Sequence, residues 1–537
     1  MRNMAWAATL ALPLIAAPAV QAQIELMDWH GAPGQPFFGR ALAVVSDLDG
    51  DGRDDAIVGD PFGAGFAGSV HVFSTSSHAT LLTFLGTEVG GEFGAAVAGL
   101  SDVNGDGVPD IAIGAPLEQV GAGRVRVFSG GNGALLFEVV GDAIGDHFGA
   151  ALCATEDLNG DGIGDLLVGA PQGGGNRRGV VTLTSGVDGS TIWSRMGEAK
   201  DDYLGASLAW AGDLDGDGAP DVVAGAPQAA NQLGAVHAFV GASGVPLWTA
   251  TGDNPADGFG FSVAALGDVN GDGSADVAAG VPGLDAGASD AGGVAVLSGD
   301  DGGLLQLMLG DQAFGQLGFS VAGVGDGNGD GLLDVAAGDD PIEGGMVRTF
   351  SAVTGSIVDA YPVFDSTESG LGSGIHLVGG GDLDADGLPD LLVGVPTRFV
   401  SSDAGKVLAL RMAFAPWVDL GAGLDGQGHA QLEGLGSLAP GTHFDLRVSG
   451  AAPNMPVTLV MGFDSLHAPF KGGTMVPAPD LMDFGLMSDA LGDVDYDSKL
   501  PEMIEPGTNV LFQLWIQDAS APQGIAATNA LLASVPD

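Results

Sequence analysis

Along the first 410 residues, apolar positions come in short runs cut off by glycine, proline and acidic clusters. One kind is small-sided, such as Ala95-Ala96-Val97-Ala98, and sits between a glycine and an acid-rich segment. A second, such as Ile111-Ala112-Ile113, follows the acidic segment and ends at glycine and proline. A third opens on glycine and continues in β-formers, as in Gly68-Ser69-Val70-His71-Val72-Phe73 and Gly123-Arg124-Val125-Arg126-Val127-Phe128. A fourth follows a glycine-rich turn, as in Leu135-Leu136-Phe137-Glu138-Val139-Val140. Runs this short, with turn signals on both sides, predict strands rather than helices.

The four runs return together. The pattern of Asp47-Leu48-Asp49-Gly50-Asp51-Gly52-Arg53-Asp54-Asp55 occurs seven times, and successive first aspartates stand 55, 55, 56, 55, 58 and 56 residues apart. Eight residues before each first Asp lies a glycine (Gly39, Gly94, Gly149, Gly205, Gly260, Gly318, Gly374), preceded in six copies by Phe or Leu and in the seventh by Ser373. Twelve residues after it lies another glycine, closely followed by proline, as in Gly114-Ala115-Pro116; the sixth copy inserts a residue, Gly338-Asp339-Asp340-Pro341. So regular a period means one supersecondary unit, copied.

Phe-Gly, an acidic loop, then Gly-Ala-Pro resembles the FG-GAP repeat of the integrin α-subunit propeller, over roughly residues 24–412, about three quarters of the chain. Four strands per period and seven periods independently predict an all-β, seven-bladed β-propeller, in which radial repetition protects sheet edges. The seventh unit supplies only three strands, ending at Gly405-Lys406-Val407-Leu408-Ala409-Leu410. Ile24 to Gly31 stands before Phe38 as Leu81 to Gly86 stands before Phe93, so it is a fourth strand without its first three. It is expected to complete blade seven and tie the ring shut.

The acidic loops read as calcium sites. Loop positions 1, 3, 5 and 9 carry Asp or Asn, and position 7 can offer a backbone carbonyl. Loop one has Asp47, Asp49, Asp51 and Asp55 with Arg53 at position 7; loop two has Asp102, Asn104, Asp106 and Asp110 with Val108. Loop three has Asp157, Asn159, Asp161 and Asp165 with Ile163; loop four has Asp213, Asp215, Asp217 and Asp221 with Ala219. Loop five has Asp268, Asn270, Asp272 and Asp276 with Ser274; loop six has Asp326, Asn328, Asp330 and Asp334 with Leu332; loop seven has Asp382, Asp384, Asp386 and Asp390 with Leu388. Ca²⁺ takes six to eight oxygens on a flexible loop, and position 6, always glycine, allows the tight turn. An EF-hand would need a bidentate Glu at position 12 and flanking helices. Position 12 here falls in strand, as at Val58 and Ile113, and the flanks lack helix caps, so the loop belongs in a β-hairpin. Mg²⁺ demands tighter geometry and fits less well. Up to seven Ca²⁺ are expected, in a structural role.

Charge supports that role. Lys and Arg total 16 against 68 Asp and Glu, a formal net charge of −52. Such a chain repels nucleic acid and anionic lipid. With 45% hydrophobic residues it still builds a core, so the acid needs a counter-charge rather than signalling disorder. Arg2, the apolar run Ala5 to Ala17, and Val20-Gln21-Ala22 read as a secretory signal over residues 1–22, cleaved after Ala22. Export to the medium or cell surface follows, with no membrane-spanning segment. Cys153 is the sole cysteine, so no intrachain disulfide forms, and bound metal is the alternative staple.

No catalytic constellation is legible. Cys153 occupies a small-residue slot (Ala43, Ala98, Ala209 in other copies) and reads as a buried hydrophobe. His376 replaces Ala or Ser of the other copies and reads as drift in the closing blade; Trp193 and Trp248 read as packing residues. Beyond the propeller, expected at 24–413, the spacing changes. Residues 416–537 show runs such as His443 to Val448, Val457 to Met461 and Val510 to Ile516, which predict a small β-sandwich. By resemblance, partners would dock on the face opposite the calcium loops, where the linkers between second and third strands differ most, as at Gln172 to Arg178 and Gly283 to Gly292. The expected function is a non-enzymatic adhesion or recognition scaffold for an extracellular protein or glycan. The alternatives are a polysaccharide-acting enzyme on the same scaffold and a calcium buffer.

Overall fold

The structure, a computed structural model, describes residues 24–411 except 33–34, 286–287, 328–331, 340–344, 364–374, 386–388 and 398–403, and beyond 411 the backbone of the strands named below. The expected signal segment, 1–22, lies outside the described residues. The strands from Ile24 to Arg411 form one unit and those from Trp417 to Ser534 belong to another.

In the first unit six periods each fold into four antiparallel strands that pair in sequence order, and the seventh gives three strands completed by Ile24–His30, making seven four-stranded blades. Blade two shows the plan: Ala96–Leu100, Asp110–Ala115, Arg124–Phe128 and Leu135–Val140. The other first strands are Ala41–Val45, Ala151–Ala154, Ser207–Gly212, Val263–Gly267, Ser320–Val324 and His376–Gly381, and neighbours in this series touch all the way round the ring. That crowding explains their small residues. A Cβ on Gly99 would stand 2.4 Å from the Val44 carbonyl oxygen. The second strands are buried end to end, as at Asp110–Ala115 and Asp221–Ala226, which is why their sequence is a continuous apolar run rather than an alternating one.

The core is not central. Among the described residues, buried apolar side chains fall into seven clusters, one in each joint between neighbouring blades. In the joint of blades one and two, Ile57, Val70 and Val72 of one meet Phe93, Ile111 and Ile113 of the next. The Phe-Gly pair is the clasp. The Phe93 amide donates to the Ala67 carbonyl of the preceding blade (3.3 Å), and the Gly94 amide donates to Gly114 of its own blade (2.9 Å). Phe93 and Phe259 are fully buried. The proline-linked glycine meets this clasp from the other side: a Cβ on Gly225 would lie 2.0 Å from the Gly260 carbonyl oxygen. The same approach recurs from Gly59 to Gly94, Gly114 to Gly149, and, across the closure, Gly394 to Gly39. Both glycines of the signature are therefore packing residues of the joint.

Closure takes the expected form. Ile24–His30 pairs antiparallel with Lys406–Arg411, with Met27 opposite Ala409 and a bulge between Glu25 and Met27. Met27 and Trp29 enter the cluster joining blades seven and one. Trp193 and Trp248 also act across joints. Their indole N–H groups donate to the Gly241 and Gly299 carbonyls of the next blade, at 2.7 and 2.5 Å.

The second unit contains strands Trp417–Asp419, Gln431–Leu435, His443–Ser449, Pro456–Gly462, Ser465–Phe470, Gly473–Pro477, Leu481–Met487, Val494–Lys499, Asn509–Gln517 and Ile525–Ser534. They form five-, three- and two-stranded sheets, all antiparallel. The three apolar runs singled out in the sequence are among them.

Candidate metal centres

Each of the first five acidic loops joins the first and second strands of its blade and is organised by position 1. In loop one, one carboxylate oxygen of Asp47 accepts from the Gly50 and Asp51 amides (2.6 and 3.0 Å), and the other accepts from Gly52 (2.8 Å). Asp102, Asp157, Asp213 and Asp268 repeat the pattern. The bond to position 6 requires a left-handed turn there, with φ +91° at Gly52, which glycine adopts at least cost. These amides hold the Asp47, Asp102, Asp157 and Asp268 carboxyls below the usual carboxylate range. At Asp102 the Gly107 amide is the largest influence; at Asp47 slight burial opposes the shift and the backbone amides outweigh it.

Position 9 starts the second strand, or in blade three immediately precedes it, and is buried. One oxygen accepts the position-2 amide, at 2.9 Å for Leu48 to Asp55 and 3.0 Å for Leu214 to Asp221. The other accepts an amide from the turn after the third strand, as Gly130 to Asp110 at 3.0 Å. Burial, opposed by these amides and reinforced by the neighbouring carboxylates, pushes Asp55 up to about 7 and Asp221 to about 6; Asp110, Asp165 and Asp276 are raised by the same causes. Position 5 accepts the position-7 amide, as Arg53 to Asp51 at 3.0 Å, Val108 to Asp106 at 3.0 Å, Ile163 to Asp161 at 2.9 Å, Ala219 to Asp217 at 2.8 Å and Ser274 to Asp272 at 2.9 Å.

Position 3 closes the cluster. Oxygens of Asp47, Asp49 and Asp55 lie within 4.8 Å of one another, as do those of Asp213, Asp215 and Asp221, and of Asp382, Asp384 and Asp390. Where position 3 is Asn, its amide nitrogen donates into the same space: Asn104 to Asp110 at 3.0 Å, Asn159 to Asp165 at 3.0 Å and Asn270 to Asp276 at 3.4 Å. Amide oxygen and nitrogen exchange places by a flip, so the same geometry offers oxygen to a cation. The donor set is oxygen only, anionic and convergent, which fits a hard divalent cation; once bound, the ion would neutralise carboxylates the backbone already forces together.

Loops six and seven are described in part. Asn328 and Asp330 of loop six, and Asp386 and Leu388 of loop seven, lie outside the described residues, while Asp326, Leu332 and Asp334 are described. In loop seven Asp390 accepts the Leu383 amide at 3.0 Å, and Asp384 is paired with Arg411. That protein cation was not anticipated, because Arg411 lies in the third strand, far from the loop in sequence. Serine hydroxyls supporting position 5 were also missed: Ser129 donates to Asp106 at 3.1 Å and Ser185 to Asp161 at 3.2 Å. Their signal was available, since serine follows the third strand at a nearly constant offset (Ser74, Ser129, Ser185, Ser298).

Cys153 and His376 both sit in buried surroundings. The Cys153 thiol is pushed up to about 11 by burial and its sulfur accepts the Trp210 amide at 3.2 Å. His376 is held down at about 3 by burial and by the charge of Arg40, and it stacks edge-on against Phe319. No helix among the described residues is long and apolar enough to cross a membrane.

Comparison with known proteins agrees with this geometry. The FG-GAP repeat family matches residues 38–73, 93–128, 148–183, 204–239, 259–297 and 374–410. The unmatched blade is the sixth, the copy with the inserted residue. Integrin alpha-V of Gallus gallus is 31% identical over 208 residues, 35% of this chain and 20% of that protein. Integrin alpha-PS2 of Drosophila melanogaster is 32% identical over 207 residues, 34% of this chain and 15% of that protein. Integrin alpha-4 of Xenopus laevis is 32% identical over 246 residues, 42% of this chain and 24% of that protein. The chain thus spans about a fifth of the length of such relatives. Six matched repeats on a ring of seven four-stranded blades make this chain an FG-GAP repeat protein with an integrin-α-like propeller.

Proposed function

We propose that this protein is an exported, non-enzymatic recognition scaffold whose propeller is held by Ca²⁺ and binds an extracellular protein or glycan. The observation that carries the reading is the repeated loop: in five fully described copies the position-1 carboxylate takes three backbone amides, and the position-9 carboxylate is buried against it. Carboxylates used this way organise backbone around an ion. The most regular residues therefore hold the ring, and recognition falls to the irregular linkers on the opposite face. The likeness to integrin α subunits supports an adhesive role.

The direct test is metal content together with ligand screening. Purified mature protein, dialysed against Ca²⁺, should retain several ions per chain by mass spectrometry of the metal. It should bind a restricted set of spots on a combined protein and glycan array. Retention of no ion, or hydrolysis of array glycans, contradicts the proposal.

A further inference from the structure

The blades differ most on the face opposite the acidic loops. In blades one and two the tips there carry Phe66, Val89, Val120 and Ile144, which are 54, 75, 76 and 75% exposed. Hydrogen bonds set these tips in a row. The Gly90 amide donates to the Phe66 carbonyl (2.6 Å), placing Val89 beside Phe66. The Leu117 amide donates to Gly91 (3.2 Å) and the Gln119 amide to the Glu88 carboxylate (3.2 Å), placing Val120 next. The His147 amide donates to Gly121 (2.9 Å), bringing up the loop of Ile144. At the matching tips blade three has Asn176, Arg177 and Lys200, and blade four has Asn231, Gln232 and Pro255. Among the described residues blade five carries a single exposed ring at its tip, Phe314 (51% exposed), and only in blades one and two do four exposed apolar tips adjoin.

Its backbone is strained as well as exposed. Phe66 has φ +70° and Val120 φ +61°. A β-branched residue in the left-handed region is a true outlier, and strain of this kind concentrates at functional sites. Glycine at either tip would relieve the strain and remove apolar surface from water. Two adjacent blades instead present a large apolar side chain on a costly turn.

Charge selects the occupant. Glu88, Asp142 and Asp146 lie on the loops that carry the row. Blade two's own cations, Arg124 and Arg126, are engaged by Glu118 and Glu138. A second copy of a chain with net charge −52 is repelled, as is an anionic membrane. Residues 413–537 carry only Arg447, Lys471 and Lys499 as cations, so that segment is no better matched. Three of the four tips are aliphatic and offer no flat ring or polar group to a sugar. We infer that the Phe66–Val89–Val120–Ile144 row docks a protein segment carrying apolar side chains flanked by Lys or Arg. The inference rests on the recognition reading above and names the sector and the partner chemistry.

The test uses the full mature chain against synthetic peptides bearing Leu, Phe or Trp anchors flanked by Lys/Arg, the same anchors flanked by Asp/Glu, a glycan array, and neutral and anionic phospholipid vesicles. Binding is expected to the cation-flanked peptides alone and should weaken with salt. The double variant Phe66→Ser/Val120→Ser should bind about tenfold weaker or worse. It should melt no lower than the parent, since it removes only exposed side chains. Asn231→Ser/Gln232→Ser on blade four should bind as the parent does. Equal binding of acid-flanked peptides, or an unchanged double variant, overturns the inference. Preference for glycans or vesicles overturns it too. If binding is instead lost in Arg177→Ser, the recognition face stands and only this row falls; if no variant on that face alters binding, both readings fall.

Discussion

Among the described residues, Asp213 and Asp60 mark two extremes of how the fold treats an aspartate. Asp213 accepts three loop amides, at 2.8, 3.1 and 2.8 Å, and helps close a three-carboxylate cluster. Asp213→Ala strands those donors and should cost roughly 1–3 kcal/mol while removing one bound ion, read by thermal melting and metal analysis together. Arg411 already occupies Asp384, so loop seven should be the weakest of the cation sites. Asp60 is the contrast. It stands where Ala115, Ala170 and Ala226 stand in other blades, is fully buried, and neither carboxylate oxygen finds a well-formed hydrogen bond. Burial pushes it up to about 6, with the Phe62 and Gly63 amides offsetting part of the cost. The unfolded carboxyl titrates near 3.9. Between about pH 4 and 6 the folded state keeps a proton the unfolded chain has lost, so stability falls as pH rises through that window and the full cost stands at neutral pH. Asp60→Ala should therefore raise the melting temperature at pH 7.5, by an amount worth on the order of 1–2 kcal/mol, and the gain should vanish near pH 4.

The strands themselves were legible because each needs only local information: an apolar run, its length and the turn residues that end it. The hairpin position of the acidic loop was legible for the same reason, from the Val58 and Ile113 positions that an EF-hand would have filled with Glu. What the sequence does not display is the joint. Gly225 and Gly260 belong to different blades and meet only once the ring forms, so the reason for the two signature glycines appears only in three dimensions. The two kinds of glycine can be told apart by substitution. Gly218 has φ +88° with nothing within 4 Å of a new Cβ, whereas a Cβ on Gly225 would meet backbone at 2.0 Å. Gly218→Ala should cost about 1 kcal/mol, and Gly225→Ala about 3 kcal/mol or enough to prevent folding, as measured by denaturant unfolding. The N-terminal strand is the other joint element. Trp29→Ala, which empties part of the cluster between blades seven and one, should cost about 3–5 kcal/mol in the same assay.

The whole ring behaves as a closed one-dimensional array, each blade supported by two neighbours. The loops take part in that coupling. The Asp54 amide of loop one donates to the Asp382 carbonyl of loop seven (3.1 Å), and the Ala275 amide of loop five donates to Asp213 of loop four (2.8 Å). A cation that fixes one loop therefore also steadies the next, and a chain of net charge −52 has little else to draw its carboxylates together. Partner identity was not legible, because recognition depends on which loop tips become neighbours, and the Phe66–Ile144 row is assembled from four separate stretches of sequence. The propeller is proposed to be held by the cations in its acidic loops. Differential scanning calorimetry of the mature chain, with Ca²⁺ and then with excess EGTA, tests this most directly. The transition should fall by at least about 10 °C on chelation and return on adding Ca²⁺; an unchanged melting curve would contradict the account.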